Sequence, residues 1–335
     1  MTKVNEKKTN LLPSFSEGNS EHIPVLLNEV MTSLALHNHG VYVDATFGRG
    51  GHSRAILSSG VDYLFAFDRD PSAQAHAEQW FSADENFSLI AKPFSQLESE
   101  LTERNINQVD GLMADLGVSS PQFDVAERGF SFRLDGPLDM RMDNRSGQPV
   151  SEWLAYAEHS EIARVLRVYG DESDALKIAS AIIAKRQHEA LTSTSQLASI
   201  VADVKSKQLK RKNNKQHRAK KTIHPATKTF QALRIFINKE LEELEKFLEQ
   251  SLRLLKVGGR LCVISFHSLE DRIVKNFMRD YSRVDPTLAG IPNIPDDLQP
   301  PLRIIGKAIK ASDEEIALNT RSRSAVLRVA EKIVG

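Results

Sequence analysis

The sequence predicts an α/β protein built on a doubly wound, largely parallel sheet and interrupted by an inserted all-helical domain. Three observations predict it. Four short apolar runs, Val41–Val43, Tyr63–Phe67, Leu112–Ala114 and Leu261–Ile264, have the length and the β-branched or aromatic content of strands buried on both faces. Helical segments at Ser53–Ser59, Ser72–Phe81 and Phe94–Arg104 separate the first three at the spacing of right-handed crossovers. From about Gln122 to Thr229 the alternation stops, and Trp153–Tyr169, Ala175–His188 and Ser195–Val204 read as helices with no strand between them. Residues 122–229 are therefore expected to form the insert, and residues 21–121 and 230–335 the two parts of the sheet domain. A chain of 335 residues is long enough for both.

After the insert, apolar residues at Phe230, Leu233, Ile237, Leu241, Leu244, Leu248, Leu252 and Leu255 recur in steps of three and four, which predicts one long helix ended by Gly258-Gly259. The fourth strand follows, then a helix that Ser268 can cap, with Asp271 in its first turn and Ile273, Val274, Phe277 and Met278 as its buried stripe. Proline-rich Ser282–Pro301 reads as a loop. Arg303–Ile309 and Ala325–Ile333 read as closing strands, an antiparallel pair at one edge. The polar first twenty residues are expected to be disordered.

Basic and acidic residues balance at 44 each, but the balance is uneven along the chain. The segment Lys205–Lys221 holds nine positive charges and no acid, leaving 35 basic against 44 acidic residues elsewhere. Such a strip on an acidic body is either a solvated loop or an electrostatic contact for phosphates. A single cysteine, Cys262, excludes an internal disulfide and a cysteine-rich zinc site, and fits a reducing cytoplasm. Met1–Asn10 lacks the apolar core of a signal peptide, and no stretch approaches the ~18 apolar residues of a membrane span. A soluble, cytoplasmic protein with no membrane partner is expected.

The first three strands end at acids, Asp44, Asp68 and Asp115, and the fourth at Ser265-Phe266-His267. In an open α/β sheet the carboxyl edge is where ligands bind. Asp44-Ala-Thr-Phe-Gly48-Arg-Gly50-Gly51-His52 follows the first strand and opens a helix, placing glycines where backbone must turn and approach a ligand. Asp68, 24 residues after Asp44, can accept hydrogen bonds from the vicinal hydroxyls of a ribose. Together they point to a nucleoside cofactor. A nicotinamide dinucleotide would favour a third glycine where Ser53 stands, and S-adenosylmethionine, which needs no pyrophosphate cradle, suits the loop better.

Asp115-Leu-Gly117-Val-Ser119-Ser120-Pro121-Gln122 leaves space at the third acid-tipped strand. Amino-group methyltransferases commonly place an acid or amide there, followed by two prolines and an aromatic. Leu116 and Gly117 replace the prolines, so a base-stacking aromatic must come from elsewhere, with Phe123, Phe130 and Phe132 as candidates. Carbon-5 methylation of a pyrimidine usually starts from a cysteine nucleophile, and Cys262 lies inside an expected buried strand. His267 can reach the cleft or be an ordinary strand-end residue. His22, His52, His188, His217 and His224 form no ligand cluster, so no catalytic metal is expected.

A set of ordered blocks carries a resemblance across nearly the whole chain: His22-Ile-Pro-Val-Leu-Leu, Asp44–Ser53, Asp115–Gln122, Glu127-Arg-Gly-Phe-Ser-Phe, Asp135–Asp143, His224-Pro-Ala-Thr, Ile264–Lys275 and Arg321–Arg328. The chain resembles the bacterial 16S ribosomal RNA cytosine-N4 methyltransferases, the ribosomal RNA small subunit methyltransferase H family. The resemblance implies a class I, Rossmann-like methyltransferase fold with a helical substrate-recognition insert. It implies methyl transfer from S-adenosylmethionine to the exocyclic amine of a cytidine in the decoding region of 16S RNA, within the small ribosomal subunit. Cofactor contacts are implied at Gly50, Gly51, His52, Asp68, Phe94, Asp115 and Gln122, with Phe94 as an adenine-facing wall. Asp115 is also the candidate catalytic residue, as acceptor for the target amine. Two alternatives stay open, a catalytically silent RNA-binding ribosome-assembly factor and a DNA amino-methyltransferase. Intact glycines and Asp68 count against the first, and the missing Pro-Pro-aromatic sequence counts against the second.

Overall fold

A computed structural model describes residues 23–211, 224–284, 286–288, 295 and 298–334. The N-terminus expected to be disordered and residues 212–221 of the basic strip lie outside these. The architecture is an eight-stranded sheet with strands β1 (Val41–Asp44), β2 (Tyr63–Phe67), β3 (Phe87–Ile90), β4 (Val109–Asp115), β5 (Leu255–Ser265), β6 (Leu302–Ile304), β7 (Ile309–Lys310) and β8 (Val326–Lys332). Its order is β3-β2-β1-β4-β5-β8-β6, with β7 also paired to β8. The first five strands are mutually parallel, while β8 runs antiparallel to β5, β6 and β7. The order reverses between β1 and β4, and a crevice forms at the carboxyl ends of the strands flanking such a switch.

Both faces of the central strands are buried, which is why they read as apolar runs. Val43, Phe65, Phe67, Leu112, Ala114, Leu261 and Val263 join one core with Leu97, Leu101, Leu244, Phe247, Leu248, Val274 and Met278 from helices. Their alternates Tyr42, Leu64, Met113, Cys262 and Ile264 join the other, against Val30, Leu34 and Ile56. Among the described residues no helix is long and apolar enough to cross a membrane.

The insert builds a separate core of residues from Leu138 to Leu233. Its helices are Val150–Tyr156, His159–Gly170, Ala175–Arg186, Thr194–Arg211 and Thr227–Asn238. The expected single helix Trp153–Tyr169 is thus two. Arg186 Nη1 donates to the carbonyls of Leu154 and Ala157, at 2.6 and 2.8 Å, and satisfies acceptors left over where the first ends.

Other expectations need correction. The helix expected to run from Phe230 to Leu255 breaks at Lys239, whose φ of 52° is left-handed, and a second helix runs Glu240–Leu254. The boundary expected at residues 229–230 falls inside Thr227–Asn238, whose Phe230, Ala232 and Leu233 pack in the insert core. Gly258-Gly259 lies within β5, where the register against β4 shifts, rather than ending a helix. His267, not Ser268, is the N-cap of helix Ser268–Asp280. The closing strands are no simple edge pair, because β8 sits inside the sheet with Leu327, Val329 and Ala330 buried, and Arg303–Ile309 splits between β6 and β7. Strand β3 is an addition that the apolar runs do not announce.

Candidate active site

A cavity of about 1380 Å³ opens at the carboxyl edge of the sheet. Single small-molecule sites usually occupy ~300–1000 Å³, so there is room for two reactants. Every residue singled out for cofactor contact, Gly50, Gly51, His52, Asp68, Phe94, Asp115 and Gln122, lines it.

The glycine loop explains its own sequence. Gly50 caps helix Gly51–Ser58 with φ 70°, and a Cβ there would lie 2.5 Å from the Phe81 ring. A Cβ on Gly51 would lie 2.3 Å from Pro24. Neither position tolerates a side chain. Ser53, in the place of a third glycine, donates its hydroxyl to Asp44 Oδ2 at 2.7 Å, while Asp44 Oδ1 accepts from the Thr46 amide at 3.0 Å. Asp44 is fully buried, so this acid braces the loop. His52 Nε2 lies 3.0 Å from the Val25 carbonyl and ties the amino-terminal segment to the rim.

Asp68 follows β2 and is half-buried. Its Oδ2 accepts from the Gly48 amide and its Oδ1 from the Asp70 amide, both at 2.8 Å. Burial pushes its carboxyl up to about 6, against the lowering effect of those two amides. Between the ordinary 3.8 and about 6 the folded state therefore binds more protons than the unfolded chain, so this group's contribution to stability falls as pH rises through that window and is constant above it. An ionised carboxylate is the stronger acceptor for ribose hydroxyls. Affinity for S-adenosylmethionine is expected to increase as pH rises from about 5 to about 7. The Asp68→Asn variant should lose that step and bind more weakly by roughly 1.5–3 kcal/mol. Calorimetric titrations at the two pH values check this, and a wild-type affinity indifferent to pH would count against Asp68 as the ribose acceptor.

Asp115 closes β4. Its amide donates to Thr46 Oγ1 at 2.6 Å, and its Oδ1 accepts from the Gly117 amide at 3.1 Å. Burial raises its carboxyl above the usual range; His52 opposes the rise, and Asp44 and Glu270 add to it. Gln122 is the third residue of helix Ser120–Asp124. Its Oε1 accepts from the Ser119 amide at 3.0 Å, and its Nε2 donates to Asp70 Oδ2 at 2.8 Å. Phe94 packs edge-on against Phe247 with centroids 5.5 Å apart.

Residues that patterning alone did not single out hold these in place. Buried Asp70 caps helix Pro71–Trp80 and pairs with Arg128 at 2.8 Å. Arg128 Nη2 donates to the carbonyls of Arg141 and Met142 in the insert. Asn238 takes the Met142 amide at 2.7 Å and donates to the Met140 carbonyl at 2.7 Å. Arg234 and Glu240, one on each side of the helix break, form a bidentate pair at 2.9 and 2.8 Å on the cavity wall.

Glu240, His267 and Glu270 bring ligand-type atoms within 4.8 Å of one another. Both Glu240 oxygens are held by Arg234, however, and Glu270 Oε2 accepts from the amides of Phe266 and His267 at 2.8 and 3.2 Å. His267 Nε2 stands 3.0 Å from Glu270 Oε1, close enough for an ion pair but not aligned as a hydrogen bond. The group reads as a cap and a clamp. His267 itself does not line the cavity.

Of the aromatic candidates, Phe130 is buried and Phe132 stacks on His224 at 4.2 Å against the insert core. Phe123 reaches the cavity, and so does Phe266. Within the basic strip, Lys205 is bound to buried Glu172 at 2.7 Å.

A description of the MraW methylase family matches residues 19–333. The ribosomal RNA small subunit methyltransferase H of Chromobacterium violaceum is 48% identical over 93% of this chain and 95% of its own length. That of Thiobacillus denitrificans is 50% identical over 93% and 97%. Among solved structures, an rRNA methylase from Streptococcus thermophilus aligns with a TM-score of 0.39 and 12% identity, covering 92% of this chain and 95% of that one. Family match and relatives both extend over nearly all of the sequence, sheet domain and insert alike, and this chain belongs to the MraW methylase family.

Proposed function

We propose that this chain transfers a methyl group from S-adenosylmethionine to the exocyclic N4 amine of a cytidine in the decoding region of 16S ribosomal RNA, in the small ribosomal subunit. The observation that carries the reading is the pairing of Asp68 and Asp115 at strand ends on either side of the β1 glycine loop, on the wall of one cavity. Relatives named for methylating small-subunit ribosomal RNA supply the substrate class. When bound, S-adenosylmethionine supplies a methyl group on a sulfonium, already a strong electrophile. The loop at Gly50 and Gly51, packed tightly against Phe81 and Pro24, presents its backbone to the cavity, Asp68 offers a carboxylate for the ribose, and Phe94 offers a wall for the adenine.

Cytosine's amine is a weak nucleophile because its lone pair is delocalised into the ring, so positioning dominates the demands on the protein. Orientation can supply roughly 7–11 kcal/mol of the barrier. Asp115 accepts a hydrogen bond from the amine and turns its nitrogen toward the methyl. Attack at carbon 5 through a thiolate is disfavoured, since Cys262 is buried in β5 and its thiol is pushed up to about 12. A base must leave its stack to enter such a cavity, which favours a loop-presented nucleotide. We assign the insert to RNA recognition.

The test supplies labelled methyl donor with small subunits, free 16S RNA and DNA, followed by nucleoside analysis. N4-methylcytidine in the ribosomal substrates is expected. Label in DNA alone would favour a DNA amino-methyltransferase, and no label anywhere a silent assembly factor. The basic strip has a separate expectation. Replacing Lys210, Arg211, Lys212 and Lys215 with Gln should flatten the plot of log RNA affinity against log salt by roughly 1–3 units, with cofactor affinity unchanged. Equal slopes would leave the strip a solvated segment.

A further inference from the structure

We infer that Phe266 is the platform on which the target base stacks, and that it sets the amine against Asp115. This rests on the methylation proposed above and names how the substrate is held.

Sheet order divides the cavity. Asp68 follows β2 and Phe94 follows β3, both on one side of β1, whereas β5 lies on the other side of β4. The cofactor residues therefore occupy the β3-β2-β1 side, Asp115 stands at the middle, and the space beyond it is bounded by the end of β5. The residue leaving β5 there is Phe266.

Its ring is held firmly. Glu270 Oε2 takes the Phe266 amide at 2.8 Å, fixing the backbone as it turns into helix Ser268–Asp280. The ring lies against Gly117 so closely that a Cβ there would sit 2.8 Å from Phe266 Cε2 and 3.1 Å from Asp115 Oδ1. One point thus touches both the aromatic ring and the carboxylate oxygen. A base lying on that ring brings an exocyclic amine within reach of the acid. This also gives a reason for Gly117, where amino-methyltransferases commonly carry proline: the aromatic surface arrives from β5 rather than from the residues following the acid.

Phe123 is the competing candidate, since it lines the same cavity. It sits on the five-residue helix Ser120–Asp124 and is 36% exposed, whereas Phe266 packs against the buried core that holds Ile264 and Leu327. In-line attack requires placement to a fraction of an ångström, which favours the ring that is packed.

The experiment compares Phe266→Leu, Phe266→Tyr and Phe123→Leu in single-turnover methylation of small subunits, with cofactor affinity measured by calorimetry. Phe266→Leu is expected to slow the step at saturating subunit by roughly 10- to 100-fold, the scale of losing one base–aromatic stack. Phe266→Tyr keeps the π-face and should stay within about threefold of wild type. Cofactor affinity should stay within about twofold for all three, which a collapsed cavity would not allow. A Phe266→Leu rate equal to wild type, or a loss falling on Phe123→Leu instead, would overturn the assignment while leaving the proposed reaction intact. Equal losses in Phe266→Leu and Phe266→Tyr would overturn it too. A wild-type protein that methylates no cytidine amine defeats the underlying reading separately.

Discussion

Asp115→Asn is expected to slow methyl transfer at saturating RNA and cofactor by roughly 10²- to 10³-fold, with far smaller changes in either affinity. The substitution keeps the shape of the side chain, and its amide oxygen can still take the Gly117 amide as Oδ1 does now. What it removes is the negative charge proposed to face the amine. A neutral amide accepts a weaker hydrogen bond than a carboxylate, and if its NH₂ turns inward it offers donors to a group that needs an acceptor. The backbone amide bonded to Thr46 is unaffected, so the end of β4 should stay in place. Single-turnover rates on small subunits, read beside RNA binding and calorimetric cofactor titration, separate chemistry from binding. Full wild-type rate at saturation would remove Asp115 from the positioning role.

Much of this site is legible in the amino-acid sequence, for a physical reason. Central parallel strands bury both faces, so β1, β2, β4 and the second half of β5 stand out as apolar runs, and each stops at the carboxyl edge of the sheet. Asp44, Asp68 and Asp115 are legible as the polar residues at those stops. Their roles divide in three dimensions: Asp44 is spent bracing Ser53 and Thr46, while the other two line the cavity. Only geometry makes that division. Strand β3 is illegible because it is an edge strand, with Phe87, Ser88 and Leu89 only half-buried and no continuous apolar run.

The helix break has a different cause. Steps of three and four continue across Lys239, from Ile237 to Leu241, because both helices bury one face; periodicity reports burial and not continuity. The break answers tertiary demands from far along the chain. Asn238 clamps the backbone at Met140 and Met142, Arg69 donates to the Asn238 carbonyl, and Arg234 meets Glu240 across the gap. Phe266 is hidden in the sequence for the same reason, since only the pairing of β4 with β5 brings it to Gly117. Of the supporting acids, Asp70 has the sequence context of one more helix cap.

Its burial makes Asp70 a position where a single substitution is expected to cost much stability. Its carboxylate is 2% exposed and accepts from the Ser72 amide and hydroxyl, from Gln122 Nε2 and from Arg128 Nη1. Asp70→Ala removes the cap of helix Pro71–Trp80 and strands the guanidinium of Arg128, which is itself only 12% exposed. Breaking a buried pair from one side typically costs about 3–5 kcal/mol, because the remaining charge is left without compensation. Arg128 would keep its bonds to the carbonyls of Arg141 and Met142 within the insert, and Arg69 would still donate to Met142 Sδ and the Asn238 carbonyl from the sheet domain, so the insert should stay attached while Gln122 loses its anchor. Urea unfolding gives the cost directly, and an Asp70→Ala effect under about 1 kcal/mol would mean that solvent reaches the pair more freely than its burial implies. The double variant Asp70→Ala/Arg128→Met sharpens the test. Removing both charges should recover a large part of the loss, since an apolar replacement for a buried pair is often neutral. A double variant no more stable than the single one would instead place the cost in the helix cap and the Gln122 bond, and not in the stranded arginine.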